Sequence, residues 1–158
     1  MTDLPTSSFS ELNPGEQIVL GDQIIRYDRS RTVRAYETVV NGGAAGCKCS
    51  YCRNFIALRG AAYPASFLSL LDRLGIDPEK EGEVYEIGPA EEGRRVYGGW
   101  FFFVGQILDV GESQSEEDGV TYWAGDGKSL PRPDGDFGLD LLALNFTLTV
   151  PWVLAEEA

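Results

Sequence analysis

Apolar residues fall in short runs separated by glycine, proline and acidic residues, and the spacing inside each run predicts its element. Residues 17–20 and 23–27 are two apolar runs parted by Gly21-Asp22, the pattern of a β-hairpin. Arg29 to Arg31 reads as a polar turn. Residues 33–40 then read as a third strand, with Val33, Ala35, Glu37 and Val39 on one face and Arg34, Tyr36, Thr38 and Val40 on the other.

Two helices follow. Ser50 is placed to cap a short one running from Tyr51 to Leu58 or Arg59, ended by Gly60, with Phe55, Ile56 and Leu58 on its buried side. The second has Pro64 at its start and a stripe of Phe67, Leu68, Leu71 and Leu74 at helical spacing. Gly75 stops it, and Ile76 can fold back on the last turn.

The rest of the pattern is β. Residues 83–87 read as a strand with Tyr85 and Ile87 on one face. Residues 96–110 form the densest apolar run, apolar on both faces, which predicts a central strand covered on both sides. Gly98-Gly99 predicts a bulge or bend there. A short strand over 120–124 and an irregular, Gly-, Pro- and Asp-rich stretch over 125–138 precede the last strand, 142–150. Its alternation turns Leu142, Leu144, Phe146, Leu148 and Val150 inward. The expectation is a single α+β domain over 17–158. It has a mostly antiparallel sheet with about two helices inserted after the third strand, preceded by a polar arm over 1–16.

Composition narrows the function classes. A net charge of -12 argues against a broad nucleic-acid surface. No apolar run reaches the ~20 residues a bilayer-spanning helix needs, so no membrane association is expected. The polar start does not resemble a secretory signal, and the cytoplasm is the expected compartment. One segment runs against the acidic trend: Arg26, Arg29, Arg31, Arg34, Lys48, Arg53 and Arg59 face only Asp28 and Glu37 between residues 23 and 59. That segment would suit thiolates or an anionic ligand, or it pairs with acidic neighbours for solubility.

The same segment holds all 3 cysteines, Cys47, Cys49 and Cys52, after a Gly-rich run, Asn41-Gly42-Gly43-Ala44-Ala45-Gly46. A C-x-C-x-x-C set at a helix start can converge on one soft or borderline metal, with zinc the default. The chain has no histidine and no fourth cysteine. A fourth ligand would be a carboxylate such as Glu37 or Glu86, a water or substrate, or a group from a second subunit, which would make a homodimer. The competing readings are thiol-redox chemistry at Cys49 and Cys52, and three buried, unreactive thiols. An iron–sulfur cluster normally wants four thiolates. Without histidine, Ser-His and Cys-His catalytic pairs are excluded.

Cys47-Lys48-Cys49-Ser50-Tyr51-Cys52-Arg53, with Gly60-Ala61 after it, resembles a segment of the glutathione-dependent formaldehyde-activating enzyme family. The resemblance implies a zinc held by Cys47, Cys49 and Cys52 with one coordination position open to chemistry. The motif extended through Asn54 and Phe55, together with Gly98-Gly99-Trp100-Phe101-Phe102-Phe103-Val104-Gly105, also looks like a family of small bacterial proteins with no assigned function.

Three functions are therefore expected in competition. One is a zinc site with a structural or interaction role. Another is a zinc-dependent enzyme acting on a small thiol or carbonyl compound. The last is a thiol-redox protein. The partner would be a small molecule or another protein. Asp134, Asp136 and Asp140 lack the ligand series of a calcium loop and read as a solvated turn. Trp100 to Phe103 read as core.

Overall fold

A computed structural model describes residues 15–156. The predicted arm over 1–16 lies outside these residues except for its last two, and Glu16 already belongs to the sheet. The described chain runs β1 (Glu16–Leu20), β2 (Gln23–Tyr27), α1 (Arg29–Tyr36), a 3-10 turn (Gly43–Gly46), α2 (Ser50–Leu58) and α3 (Ala65–Leu74). It continues through β3 (Glu83–Pro89), β4 (Arg94–Asp109), β5 (Ser115–Glu117), β6 (Val120–Asp126), a 3-10 turn (Gly127–Ser129) and β7 (Leu141–Pro151). The fold is α+β. Seven antiparallel-paired strands form one sheet in the order β1-β2-β4-β7-β6-β5, with β3 also paired to β4.

The sheet is built on β4, at 16 residues its longest strand. One edge of β4 takes β3 along its first half and β2 along its second, while β7 covers the other edge from Arg94 to Val104. Both faces are packed, as the two-sided apolar pattern predicts. Tyr97 and Phe101 meet Phe55, Tyr63 and Phe146, and so carry α2. Phe102 points the other way, onto Phe137, which also meets Tyr36 of α1 edge-on. In β7 the inward set is buried as expected, but Ala143 is buried as well, because both faces of this strand are covered near its start.

Two expectations fail on physical grounds that the residues explain. Residues 29–36 are a helix, not a turn followed by a strand. Asp28 caps it, its carboxylate accepting from the Arg31 N–H at 3.0 Å. The buried face, Thr32, Ala35 and Tyr36, has helical spacing. Thr32 Oγ1 donates to the Asp28 carbonyl at 2.9 Å and accepts from the Val104 N–H at 3.0 Å, which stitches the helix to β4. Tertiary packing and a good cap here outweigh the β propensity of Thr32, Val33 and Tyr36.

Gly98-Gly99 makes no bulge either: β4 keeps an unbroken register with β7 through both residues. They are glycines because rings lie on them. A Cβ at Gly98 would sit 2.9 Å from the Tyr85 ring, and one at Gly99 would sit 2.9 Å from the Phe146 ring. The irregularity in this region lies on β3, between Glu86 and Gly88.

The helix over 65–74 is as expected. Phe67, Leu71 and Leu74 are buried, Gly75 is left-handed, and the Ile76 N–H returns to the Leu71 carbonyl at 2.9 Å. Among the described residues, no helix is long and apolar enough to cross a membrane.

Candidate metal centre

The cysteine segment is a turn running into a helix. The 3-10 turn Gly43–Gly46 ends on Cys47, whose N–H donates to the Ala44 carbonyl at 3.1 Å. Helix α2 begins at Ser50, and its cap is Cys49, not the expected Ser50: the Cys49 sulfur accepts from the Cys52 N–H at 3.4 Å. Cys52 sits in the first turn of α2, facing inward with Phe55 and Asn54. Ile56, expected on the buried side, is exposed, while Leu58 packs against the core as predicted.

These elements bring the three sulfurs together, all within 4.8 Å of one another. Cys47 and Cys49 stand 3.2 Å apart. Tetrahedral binding with zinc–sulfur bonds of ~2.3 Å separates sulfurs by about 3.8 Å, so small side-chain adjustments would admit an ion. Cys47 and Cys49 are exposed and Cys52 is buried. The Cys52 N–H, directed at the Cys49 sulfur, holds that thiol below its ordinary range, with further help from the Cys47 and Cys52 thiols. Burial pushes Cys52 the other way, reinforced by its two thiol neighbours.

The residues after the cysteines anchor the site to the end of the chain. Arg53 Nε donates to the Lys48 carbonyl at 3.1 Å, bracing the loop between the first two cysteines. Its Nη1 and Nη2 grip the two carboxylate oxygens of Glu156 at 2.7 and 2.9 Å. Asn54, fully buried, donates to the Pro151 carbonyl at 3.2 Å and accepts from the Val153 N–H at 2.8 Å. Tyr51 meets Trp152 edge-on, and its carbonyl accepts from the Tyr97 hydroxyl at 2.7 Å. Every residue from Tyr51 to Phe55 therefore has a placement reason, whether or not a metal is bound.

The Gly-rich lead-in is anchored by Glu81, a residue the sequence reading passed over. Its side chain is fully buried. One oxygen accepts from the Ala44 N–H at 2.8 Å, its carbonyl accepts from the Gly43 N–H at 2.8 Å, and Arg59, just past the end of α2, donates to both carboxylate oxygens. Gly42 and Gly43 are pressed against this segment; a Cβ on Gly42 would lie 2.7 Å from the Glu81 carboxylate carbon. The only signal in the sequence was an acidic residue flanked by Lys80 and Gly82, which is indistinguishable from surface charge.

The carboxylates considered as a fourth ligand are elsewhere. Glu37 is exposed just beyond α1, and Glu86 is paired to Arg95 at 3.0 Å. Among the described residues no carboxylate joins the sulfur cluster. The basic segment is largely spoken for as well. Arg29 pairs with Asp72, Arg31 with Asp140, Arg59 with Glu81 and Arg53 with Glu156, and Arg53 and Lys48 are the bases beside the cysteines. Asp134, Asp136 and Asp140 form no cation cluster with one another.

A cleft of about 820 Å³ opens beside the 3-10 turn. Tyr36, Tyr85, Trp100, Phe102 and Phe137 form its aromatic lining, Lys80, Arg132, Glu81, Glu83 and Asp134 contribute charge of both signs, and Ala45 and Gly46 bring its wall to within one residue of Cys47. Trp100, expected as core, is half-buried and lines this cleft. Comparison with protein-family models, with curated proteins and with solved structures finds no match to this chain.

Proposed function

We propose that the chain binds one zinc ion through Cys47, Cys49 and Cys52, and that the ion serves a structural or partner-directed role. The observation that carries this is the convergence of three sulfurs within 4.8 Å, on a turn braced by the Arg53–Lys48 and Cys52–Cys49 hydrogen bonds. Thiolate ligands of this kind select zinc among the common divalent ions. Bound there, the ion would tie the exit of the Gly-rich turn to the first turn of α2. A fourth ligand would come from water, a small molecule or another chain, a second copy of this one included. Free thiols of this kind suit a reducing compartment, the cytoplasm. Metal analysis of protein produced without added metal tests the reading, with one zinc per chain expected. Substoichiometric metal, with all three thiols titrating freely, overturns it.

The aromatic cleft favours a second reading, a zinc-dependent enzyme acting on a small thiol or carbonyl compound. The cleft wall reaches Gly46, the residue before Cys47, and a zinc with one exchangeable position would supply a centre that polarises a carbonyl or takes a thiolate. Cobalt-substituted protein tests the exchangeable position that the enzyme reading requires. A change in its visible spectrum on adding a small thiol supports an exchangeable position. A spectrum unmoved by thiols supports the structural role.

A further inference from the structure

The spacing of the motif draws attention to Cys49 and Cys52 as a redox pair, but the geometry points to a different one. We propose that Cys47 and Cys49 are the oxidisable dithiol of this protein, closing to a disulfide when a hydroperoxide reaches the loop and thereby expelling the metal. The expulsion rests on the zinc reading above; the choice of dithiol does not.

Three observations select this pair. The Cys47 and Cys49 sulfurs are 3.2 Å apart. Both residues are exposed, so an oxidant can reach either, whereas Cys52 is 7% exposed and belongs to the hydrophobic core. The pair also has room to close. A disulfide needs sulfurs ~2.05 Å apart, so the two must approach by about 1.1 Å. Gly46, before Cys47, has open space around its Cα, with nothing within 4 Å of a Cβ built there. Cys52 is fixed in the first turn of α2, beside the Tyr51 carbonyl held by Tyr97 and the Asn54 amide held by Pro151, whereas Cys47 and Cys49 both lie in the loop before the helix.

The chemistry balances without a further reagent. The sulfur of one thiol attacks the terminal oxygen of the hydroperoxide. The O–O bond breaks, an alcohol (or water, from hydrogen peroxide) leaves, and a sulfenic acid remains. The second sulfur attacks the sulfenic sulfur. The S–S bond forms, the S–O bond breaks, and the hydroxide leaves as water with the second thiol's proton. Two thiols lose two electrons and two protons, and the peroxide takes both. Cys52 alone then faces the ion, and one thiolate does not hold zinc.

Trypsin provides the test, because it cuts after Lys48, between the two residues in question, and after Arg53. The zinc-loaded full chain is titrated with hydrogen peroxide, free zinc is followed with a chromogenic chelator, and the digest is read by mass spectrometry. The expected product is peptide 35–48 joined to peptide 49–53 by a disulfide. It should appear one-for-one with zinc release, persist in Cys52→Ser, be lost in Cys47→Ser, and reverse with a dithiol reductant. A disulfide confined to peptide 49–53, a cross-link that vanishes in Cys52→Ser, or zinc loss without any cross-link overturns the proposal. Protein that carries no zinc on purification would sink the zinc reading instead, and the same digest of the metal-free chain would still decide which sulfurs pair.

Discussion

Arg59 Nη2 lies 3.1 and 2.9 Å from the two carboxylate oxygens of Glu81, with the acid fully buried and the base 15% exposed. The pair joins the segment before β3 to the end of α2, and through the Ala44 N–H it also holds the turn before the cysteines. Removing one member leaves the other charge in the interior. Glu81→Ala should therefore destabilise the fold by about 3–5 kcal/mol, read by urea unfolding. Zinc affinity should fall with it, because the turn that delivers Cys47 loses its anchor.

The same group makes a pH prediction with a definite sign. Burial holds the Glu81 carboxyl above its ordinary value of 4.5, against the opposing pull of the Ala44 N–H and Arg59. Between the ordinary value and the raised one, the folded chain keeps a proton the unfolded chain has released. The contribution of this group to stability is then complete below the ordinary value, declines as pH rises through that window, and levels off above it. The stability difference between wild type and Glu81→Gln should accordingly shrink as pH rises from 4.5. A difference that grows across that range would contradict the assignment.

The cysteines should separate by serine substitution. Both Cys49→Ser and Cys52→Ser should lose zinc by elemental analysis. In metal-free protein they should diverge. Serine is a strong helix cap, so Cys49→Ser keeps the start of α2 and changes metal-free stability by no more than about 0.5 kcal/mol. Cys52→Ser places a hydroxyl in the core and should cost about 1–3 kcal/mol.

Arg53 and Asn54 clasp the end of the chain by different means, and the difference is measurable. The Arg53–Glu156 pair is roughly half exposed on each side. Solvent screening keeps the loss on Arg53→Ala small, and added salt should shrink it further. Asn54→Ala removes a fully buried side chain that holds the Pro151 carbonyl and the Val153 N–H, and should cost about 1–3 kcal/mol with little salt dependence.

Glycines 42 and 46 offer a contrast within one short run. Gly42→Ala drives a Cβ into the Glu81 carboxylate and the Glu79 carbonyl and should cost about 1–3 kcal/mol in thermal or urea unfolding. Gly46→Ala meets nothing and should be neutral, or stabilising by up to ~1 kcal/mol.

Much of this architecture can be read from residue order. The hairpin, α3, the two-sided β4 and the alternating β7 follow from periodicity and turn chemistry, because each buries one predictable set of residues. The convergence of the cysteines follows from spacing. What periodicity could not reveal depends on partners distant in sequence. Residues 33–36 carry β-branched and aromatic side chains, and only the Asp28 cap and the stripe of Thr32, Ala35 and Tyr36 argue for a helix. Glu81 looks like solvent-facing charge until Arg59 is placed beside it. The glycines before the cysteines suggest a loop free to bend, whereas Gly42 and Gly43 are there because Glu81 and Gly82 approach so closely.

The clasp on α2 has a consequence for how the protein is made. Asn54 and Arg53 close on partners 97 to 103 positions further along the chain. Contacts across such spans form late, since a long stretch of polymer must first be brought together. During synthesis, the thiols leave the ribosome well before the strand end that steadies their helix. Metal captured at that moment would meet a loosely held site, and the final arrangement would be reached only once translation had delivered residue 156.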